Sequence, residues 1–304
     1  MTRLDEIHVF LRGGLGNQLF QYSTGLFFSQ EFGKRLILRS DLLPETQDTI
    51  GNVSRWPNQI AGFQHSGEVR VNSFQPKAKT NSFGKMMQAM RTFGDNFPRA
   101  SESLGWLTGE CRTPELPKHK NRLTIINSYV PYKHFAWLNR NRIRCEIQTL
   151  SEPSSAFVEL LAQLQNLRPT IVHVRQGDYA NLRHIYGEPK IEYYASALNL
   201  LASQKKTNQV WIFTDSPEEI PPMILETIDP HLIVGPNSVS RPIETLILMS
   251  NADAIVAANS TFSWWACLLS KPGTPILAPI VGGSKTNNFT QGSEPSSEWR
   301  FLDA

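Results

Sequence analysis

The sequence has few cysteines, no long apolar run and no secretion signal, and each of these absences excludes a class of protein. Its three cysteines are far apart and form no C-x-x-C pair, which argues against a disulfide framework and against a structural zinc site. The longest apolar runs, such as Ala254–Ala258, are much shorter than the roughly 18 residues that a membrane-spanning helix needs. The first residues lack the basic and then apolar pattern of a signal peptide. We therefore expect a soluble protein of the cytoplasm.

Several catalytic motifs are also absent. The chain has no G-x-x-x-x-G-K-[ST] loop, no G-x-S-x-G elbow and no H-E-x-x-H pair. It has no D-x-D pair either, so arginine, hydroxyls and helix N-termini would have to stabilise a diphosphate leaving group without a chelated metal. We therefore expect no metal ion. Gly13–Gly16 lacks the third glycine of G-x-G-x-x-G, which leaves an NAD-dependent oxidoreductase as a weakly supported alternative.

The composition is that of a folded chain with an uneven distribution of charge. With 304 residues, 40% of them hydrophobic, the chain is long enough for two domains. Ser66–Cys145 contains 14 Lys or Arg and 5 Asp or Glu, although the whole chain carries only +3. This basic segment could attract an anionic acceptor or a membrane surface, and a solvated face would explain it equally well. Arginines do not alternate with aromatic residues there, so we expect no nucleic-acid partner.

The N-terminal half begins with the pattern of a βαβ unit. A strand at Ile7–Leu11 is followed by the glycine turn, a helix at Asn17–Glu31 and a second strand at Arg35–Leu38, with Gly33 as the helix cap. Asn52–Pro117 is rich in Gly, Pro, Ser and Asn, and we predict irregular structure for it.

Within that irregular segment lies one apolar stripe. Its members follow helical spacing and are Phe83, Met86, Met87, Met90 and Phe93. A core-facing helix is the favoured interpretation, and a basic amphipathic helix lying on a membrane is the alternative.

The second half alternates short apolar strands with helices, which predicts a doubly wound parallel sheet. We place the domain boundary near Leu150. The predicted elements are Ser151–Leu167, Thr170–Arg175, Ile191–Ser203, Gln209–Thr214, Pro217–Thr227, His231–Val234, Arg241–Ser250, Asp253–Ala257, Thr261–Ser270 and Thr274–Ala278.

The ends of these strands carry the polar residues that could bind a ligand, because ligands of such sheets bind beyond the carboxyl ends of the strands. His173 and Arg175 share one face of their strand, and the planar guanidinium of Arg175 is suited to a phosphate. A structural pair with Asp178 is the alternative. Local sequence favours Asp215 as the N-cap of the next helix. Asn259–Trp265 begins a helix after a strand, which predicts a phosphate cradle, or a cap with buried tryptophans.

Segments in chain order resemble the motifs of one enzyme family. Gly13–Tyr22 reads GGLGNQLFQY, His173–Tyr179 reads HVRQGDY, Ile212–Ser216 reads IFTDS, and LMS at Leu248–Ser250 precedes NSTFSWW at Asn259–Trp265. On these segments the chain is similar to the α-1,2-fucosyltransferases of glycosyltransferase family 11. Any one motif is weak, but the ordered set spans most of the chain and is specific.

The resemblance implies a GT-B-like α/β fold of two facing Rossmann-like domains. Residues 1–150 would form the acceptor side and residues 151–304 would bind the nucleotide sugar. By motif position, Arg175 would contact the donor diphosphate and His173 the guanine or ribose. The residues that the resemblance assigns to substrate binding are Gly14, Asn17, His173, Asp215, Glu244, Asn259, Ser260, Thr261 and Phe262. Asp178 is the candidate general base, with an ion pair as an equal alternative.

The implied reaction moves L-fucose from GDP-β-L-fucose to O2 of a terminal galactose, with inversion and without a metal or other cofactor. The acceptor would be a glycan, lipid-linked in a bacterial-type polysaccharide pathway, with the basic segment at the inner membrane surface. Gln176 and Ser216 depart from the family motifs, which have arginine and aspartate there. These departures leave two rivals, a transferase for another nucleotide sugar and a catalytically silent binding protein.

Overall fold

The chain folds into two compact units, Met1–Leu150 and Ser151–Ala304. A computed structural model describes residues 5–40, 42–44, 46, 48–50, 53–55, 57–61, 63, 69–72, 80–109, 124–128, 133–150, 152–177, 187–204, 209–281, 289 and 299–304. Among the helices of these described residues, none has both the length and the apolar character that crossing a membrane requires.

The N-terminal unit is built on a parallel sheet with the strand order β5-β2-β1-β7-β6, and β3 pairs with β4 in a separate antiparallel ribbon. Its strands are β1 (Glu6–Phe10), β2 (Arg35–Arg39), β3 (Asp48–Ile50), β4 (Val53–Arg55), β5 (Val69–Asn72), β6 (Trp106–Gly109) and β7 (Ile125–Ser128). Its helices are α1 (Leu15–Phe32), α2 (Thr80–Asn96), α3 (Pro98–Ser103) and α4 (Lys133–Gln148).

The predicted βαβ unit is present as β1, α1 and β2. The chain turns at Gly13, whose φ is +70°, and α1 ends at Gly33, whose φ is +60°. These left-handed conformations cost glycine less than any other residue, because glycine has no Cβ. The predicted glycine cap is therefore confirmed, and the turn brings the start of α1 to the carboxyl end of β1.

The prediction of irregular structure for Asn52–Pro117 was wrong, because this segment contributes three strands and the helices α2 and α3. The apolar stripe on α2 divides between core and surface: Met87 is 1% exposed, whereas the neighbouring Met86 is 50% exposed. The core-facing interpretation holds for Met87, whose carbonyl accepts a hydrogen bond from Asn127 Nδ2 at 3.2 Å. The side chain of Phe83 lies outside the described part of the chain.

The C-terminal unit has an all-parallel sheet with the strand order β10-β9-β8-β11-β12-β13. Its strands are β8 (Thr170–Val174), β9 (Val210–Thr214), β10 (Leu232–Val234), β11 (Ala254–Val256), β12 (Ile276–Ile280) and β13 (Trp299–Asp303). Its helices are α5 (Ser155–Leu167), α6 (Ile191–Ser203), α7 (Pro222–Ile228), α8 (Pro242–Ser250) and α9 (Thr261–Leu268).

Counted within this unit, the strand order is 3-2-1-4-5-6, the order of Rossmann folds. The predicted elements are present with small shifts at their ends, but β13 was not predicted. The single helix predicted over Pro217–Thr227 is also corrected: a 3-10 turn at Pro217–Glu219 precedes α7. Ile220 and Pro221 separate the two, and Pro222 begins α7, because proline lacks an N–H and restricts the residue before it.

The strand order reverses between β8 and β11, which are neighbours at the centre of the sheet. From β8 the chain continues to β9 on one side, and from β11 it continues to β12 on the other. The connections therefore separate at the carboxyl ends of these two strands and leave a crevice there. The core below it includes Val172 and Val174 of β8 and Val256 of β11, all fully buried.

Substitutions of Met87, which is buried, and Met86, which is exposed, test which face of α2 packs against the core. We expect Met87→Ala to lower the free energy of unfolding of the N-terminal unit by about 2–5 kcal/mol through loss of packing. Met86→Ala, the matched control, should change it by less than about 0.5 kcal/mol. Urea unfolding measures both values. Equal effects of the two substitutions would contradict the orientation of the helix.

Candidate functional site

His173 and Arg175 lie at the carboxyl end of β8, next to the point where the strand order reverses. His173 is 4% exposed, and its Nδ1 shares a hydrogen bond with Ser263 Oγ at the start of α9. The ring of Phe262 lies 5.8 Å from the ring of His173 between centroids. The structure thus brings the end of β8 together with the segment that follows β11, as the two motifs predict.

Arg175 forms an ion pair with Asp215, the residue that follows β9, with 3.1 Å between Arg175 Nη1 and Asp215 Oδ2. The other oxygen, Asp215 Oδ1, accepts the backbone N–H of Gln176 at 3.0 Å. The local interpretation of Asp215 as a helix N-cap is therefore wrong. The N-cap of the next turn is Ser216, whose side chain makes no capping hydrogen bond. Asp178 lies outside the described residues, and both suggested roles for it remain predictions.

Gly177 allows this arrangement because it has no side chain. A Cβ atom at position 177 would lie 2.2 Å from Asp215 Oδ2, far inside van der Waals contact. Any other residue would therefore push the carboxylate away from its present position. The sequence analysis assigned no role to Gly177, and only its place inside the HVRQGDY segment pointed to it.

Gln176, which replaces an arginine of the family motif, is 3% exposed and turned toward Glu188. Its Nε2 donates to Oε1 of Glu188 at 2.6 Å. Glu188 lies three residues before the first residue of α6. A neutral amide therefore meets a carboxylate here. The backbone and the side chain of Gln176 together hold this loop to both Asp215 and Glu188.

The segment from Ala258 to Ser263 turns sharply into α9. Ser260 is the N-cap, and its Oγ accepts the N–H of Ser263 at 3.0 Å, while Asn259 is 2% exposed. Thr261 and Phe262 are half-buried in the first turn, which contains no acidic residue. Backbone N–H groups at such a helix start attract anions. The capping interpretation is confirmed, because Ser260 caps the helix and Trp264 and Trp265 are buried, and the compatible phosphate cradle stays a prediction.

His173 is electrically neutral over the whole physiological range. Burial, reinforced by the neighbouring charge of Arg175, lowers the pKa of His173 to about 3. The positive charge at the end of β8 is therefore that of Arg175 and not of the imidazole. A negatively charged ligand at this edge could therefore interact with the guanidinium of Arg175. An uncharged hydrogen-bonding group could interact with the imidazole of His173.

Glu244 lies apart from this cluster, in the first turn of α8. It is fully buried, and its carboxylate accepts the N–H and the hydroxyl of Ser154, each at 2.8 Å, and Arg241 Nη1 at 3.1 Å. Ser154 is in turn the N-cap of α5, where its Oγ accepts the N–H of Phe157. These contacts join the starts of two helices. Substrate binding by Glu244 remains a prediction without support from its surroundings.

Gly14 and Asn17 lie in the N-terminal unit, at the start of α1. Gly14 is the N-cap residue of α1, and Asn17 is half-buried in the first turn. Gln18 holds the glycine turn in place by donating from Nε2 to the carbonyls of Gly13 and Pro57, both at 2.8 Å. The sequence analysis did not single out Gln18.

The structure also bears on metal binding. Within the part of the chain that the structure describes, no three His, Cys, Asp or Glu side chains are grouped closely enough to hold a metal ion. The charged groups that the described strand ends bring together at the crevice are Arg175 and Asp215, with Glu188 beside Gln176.

Comparison with known proteins finds related glycosyltransferases. Residues 112–302 match the family model described as glycosyl transferase family 11. The O-antigen biosynthesis glycosyltransferase WbnK of Escherichia coli is 21% identical over 86% of this chain and 89% of its own length. The alpha-1,2-colitosyltransferase of Escherichia coli is 24% identical, over 85% of this chain and 86% of its own.

Solved structures of fucosyltransferases share the fold. NodZ from Bradyrhizobium matches 88% of this chain and 94% of its own with a TM-score of 0.51 and 14% identity. POFUT1 in complex with GDP matches 99% of both chains with a TM-score of 0.50 and 13% identity. At such identities the likeness concerns the fold alone, and it confirms the expected GT-B-like α/β architecture.

The contacts of Glu244 predict that it stabilises the C-terminal unit. We expect Glu244→Gln to lower the free energy of unfolding by about 1–3 kcal/mol, because an amide cannot accept all three donors. Glu218→Gln, at an exposed position of the same unit, should have almost no effect. Urea unfolding measures both. If Glu244 bound substrate instead, the substitution would raise the KM of the substrate and leave stability unchanged.

Proposed function

The chain belongs to glycosyltransferase family 11, and we propose that it transfers L-fucose from GDP-β-L-fucose to O2 of a terminal galactose, forming an α-1,2 linkage. One observation carries this proposal: Asp215 fixes Arg175 at the carboxyl end of β8, where the strand order of a Rossmann sheet reverses. This is the edge at which such sheets bind nucleotides. The acceptor we propose is a glycan of the O-antigen type, as the name of the relative WbnK supports.

In the proposed reaction, the acceptor hydroxyl displaces GDP at the anomeric carbon of fucose. A bond forms between O2 of galactose and the anomeric carbon while the bond from that carbon to the diphosphate oxygen breaks, with inversion. The proton of the hydroxyl passes to a base, for which Asp178 is the candidate. Negative charge grows on the departing diphosphate, and preorganised donors lower the barrier most where charge develops.

The strand ends and the start of α9 supply groups with distinct roles in this step: Arg175, Asp215, Ser260 and Thr261. Arg175 neutralises the charge on the diphosphate through its planar guanidinium. The helix start at Ser260 and Thr261 adds backbone N–H donors and the positive end of the α9 dipole. Asp215 holds Arg175 in place from the next strand. We propose that these groups act without a metal ion.

Removal of the guanidinium tests the proposal most directly. We expect acceptor-dependent GDP release from GDP-fucose to persist in EDTA, and Arg175→Ala to lower kcat by about 100-fold to 1,000-fold. Arg168→Ala is the matched control. Arg168 precedes β8 and forms another ion pair of the same unit, with 2.9 Å between its Nε and Asp253 Oδ2. Removing this ion pair should leave activity unchanged. A panel of galactose-terminated glycans serves as acceptors.

Two results would contradict this proposal. Loss of activity in EDTA that returns with Mg²⁺ or Mn²⁺ would overturn the metal-free mechanism. Failure of the wild type to bind GDP in calorimetry would overturn the donor assignment.

Colitose is the second candidate donor sugar, because one relative is named a colitosyltransferase. Colitose is L-fucose without its 3-hydroxyl group, so the two donors differ at a single oxygen. We expect kcat/KM for GDP-L-fucose to exceed that for GDP-colitose by about 100-fold, since a site that binds the hydroxyl leaves polar groups unpaired without it. Competition between the two donors in one reaction measures the ratio, and a reversed ratio would make colitose the substrate.

A further inference from the structure

Ser263 connects the segment after β11 to the imidazole at the end of β8. It is fully buried in the first turn of α9, and its Oγ accepts the backbone N–H of Ala258 at 3.1 Å. The same Oγ shares a hydrogen bond with His173 Nδ1. The sequence analysis gave Ser263 no role of its own.

The direction of this hydrogen bond follows from counting hydrogens. A serine hydroxyl has one hydrogen to donate, and here its oxygen already accepts from Ala258. His173 Nδ1 is the acceptor within reach of that hydrogen among the described residues. If Nδ1 carried the proton instead, the buried hydroxyl hydrogen would face no described acceptor, which costs free energy. The hydroxyl therefore donates, and Nδ1 accepts.

The tautomer of His173 follows in turn. A neutral imidazole has one N–H, and Nδ1 is the acceptor of the Ser263 hydroxyl, so the hydrogen is on Nε2. Burial and the charge of Arg175 keep the pKa of His173 far below neutrality, so the ring stays in this neutral form. The Nε2 atom makes no hydrogen bond to any residue that the structure describes, and the ring lies beside Phe262.

We propose that Ser263 is a positioning residue that holds His173 as its Nε2–H tautomer, so that His173 donates a hydrogen bond to an uncharged oxygen of the nucleoside, a carbonyl or a hydroxyl. The proposal rests on the proposed function for the identity of the ligand. Recognition is then divided between two residues at the carboxyl end of β8: Arg175 binds the charged diphosphate, and His173 donates to a neutral acceptor. The opposite tautomer would turn a lone pair toward that oxygen, which would repel a carbonyl and could only accept a hydrogen bond from a hydroxyl.

The tautomer can be measured without any activity. Long-range ¹H–¹⁵N NMR spectra of the full chain, with its histidines labelled with ¹⁵N, distinguish the two ring nitrogens. The histidine spin system that disappears in His173→Gln is that of His173. We expect the wild type at pH 7.5 to show Nε2–H. An Nδ1–H form of His173 in the wild type would overturn the proposal by itself, even if Ser263→Ala did not fold.

Variants of the buried serines then test the role of the hydroxyl. In Ser263→Ala we expect a shift toward the Nδ1–H form and GDP binding weaker by about tenfold in calorimetry, the value of one hydrogen bond. The matched control is Ser250→Ala, which removes a hydroxyl that is 3% exposed and bonded to the carbonyl of Ile247 in α8. It should leave both the tautomer and the affinity for GDP unchanged.

The failures of the two proposals are distinguishable. If Ser263→Ala keeps the Nε2–H form, or changes the tautomer without weakening GDP, the positioning role is overturned. If the wild type binds no GDP while its tautomer responds to Ser263→Ala, the donor assignment fails and the link between Ser263 and His173 stands.

Discussion

Two adjacent parallel strands, β8 and β11, send the chain in opposite directions across the sheet, and the site depends on this reversal. Because the connections separate there, the carboxyl ends of the two strands are not covered by a crossover between them. Polar groups from β8, β9 and the start of α9 converge at this edge. The ion pair of Arg175 with Asp215 and the hydrogen bond of His173 with Ser263 both cross from one strand end to a neighbouring one.

Regular local patterns made most of the C-terminal unit predictable. The helix Ile191–Ser203 was predicted with its observed bounds, and the buried strands were recognised from apolar runs alone. The structure of the segment from Asn52 to Pro117 was not predicted correctly. Its many turn-forming residues favoured irregular structure, although it contains α2, whose Met87 is buried. The strand β13 was missed as well. It lies at the edge of the sheet, and of its five residues only Trp299 is buried.

The partners of the charged residues were the least predictable feature of the site, because they are distant in sequence. Asp215 follows a strand and comes two residues before Pro217, a local pattern typical of an N-cap, yet its partner is Arg175 at the end of β8. Glu244 meets Ser154, which is 90 residues away. Sequence patterns singled out the polar residues at the strand ends, but tertiary contacts decide whether a carboxylate holds a neighbour at that edge or joins two helices.

In the proposed reaction, the contacts of the cluster explain how Arg175 can serve the departing diphosphate while it is paired with Asp215. Asp215 does not rely on Arg175 alone, since its Oδ1 also accepts the N–H of Gln176. A bound diphosphate can therefore draw on the guanidinium while the carboxylate retains a donor. Gln176 directs its side-chain amide to Glu188, whose Oε1 accepts a hydrogen bond from it at 2.6 Å. The described residues at this edge thus combine the fixed positive charge of Arg175 with the neutral imidazole of His173, and in the proposed reaction such preorganised groups need little rearrangement as charge develops on the leaving group.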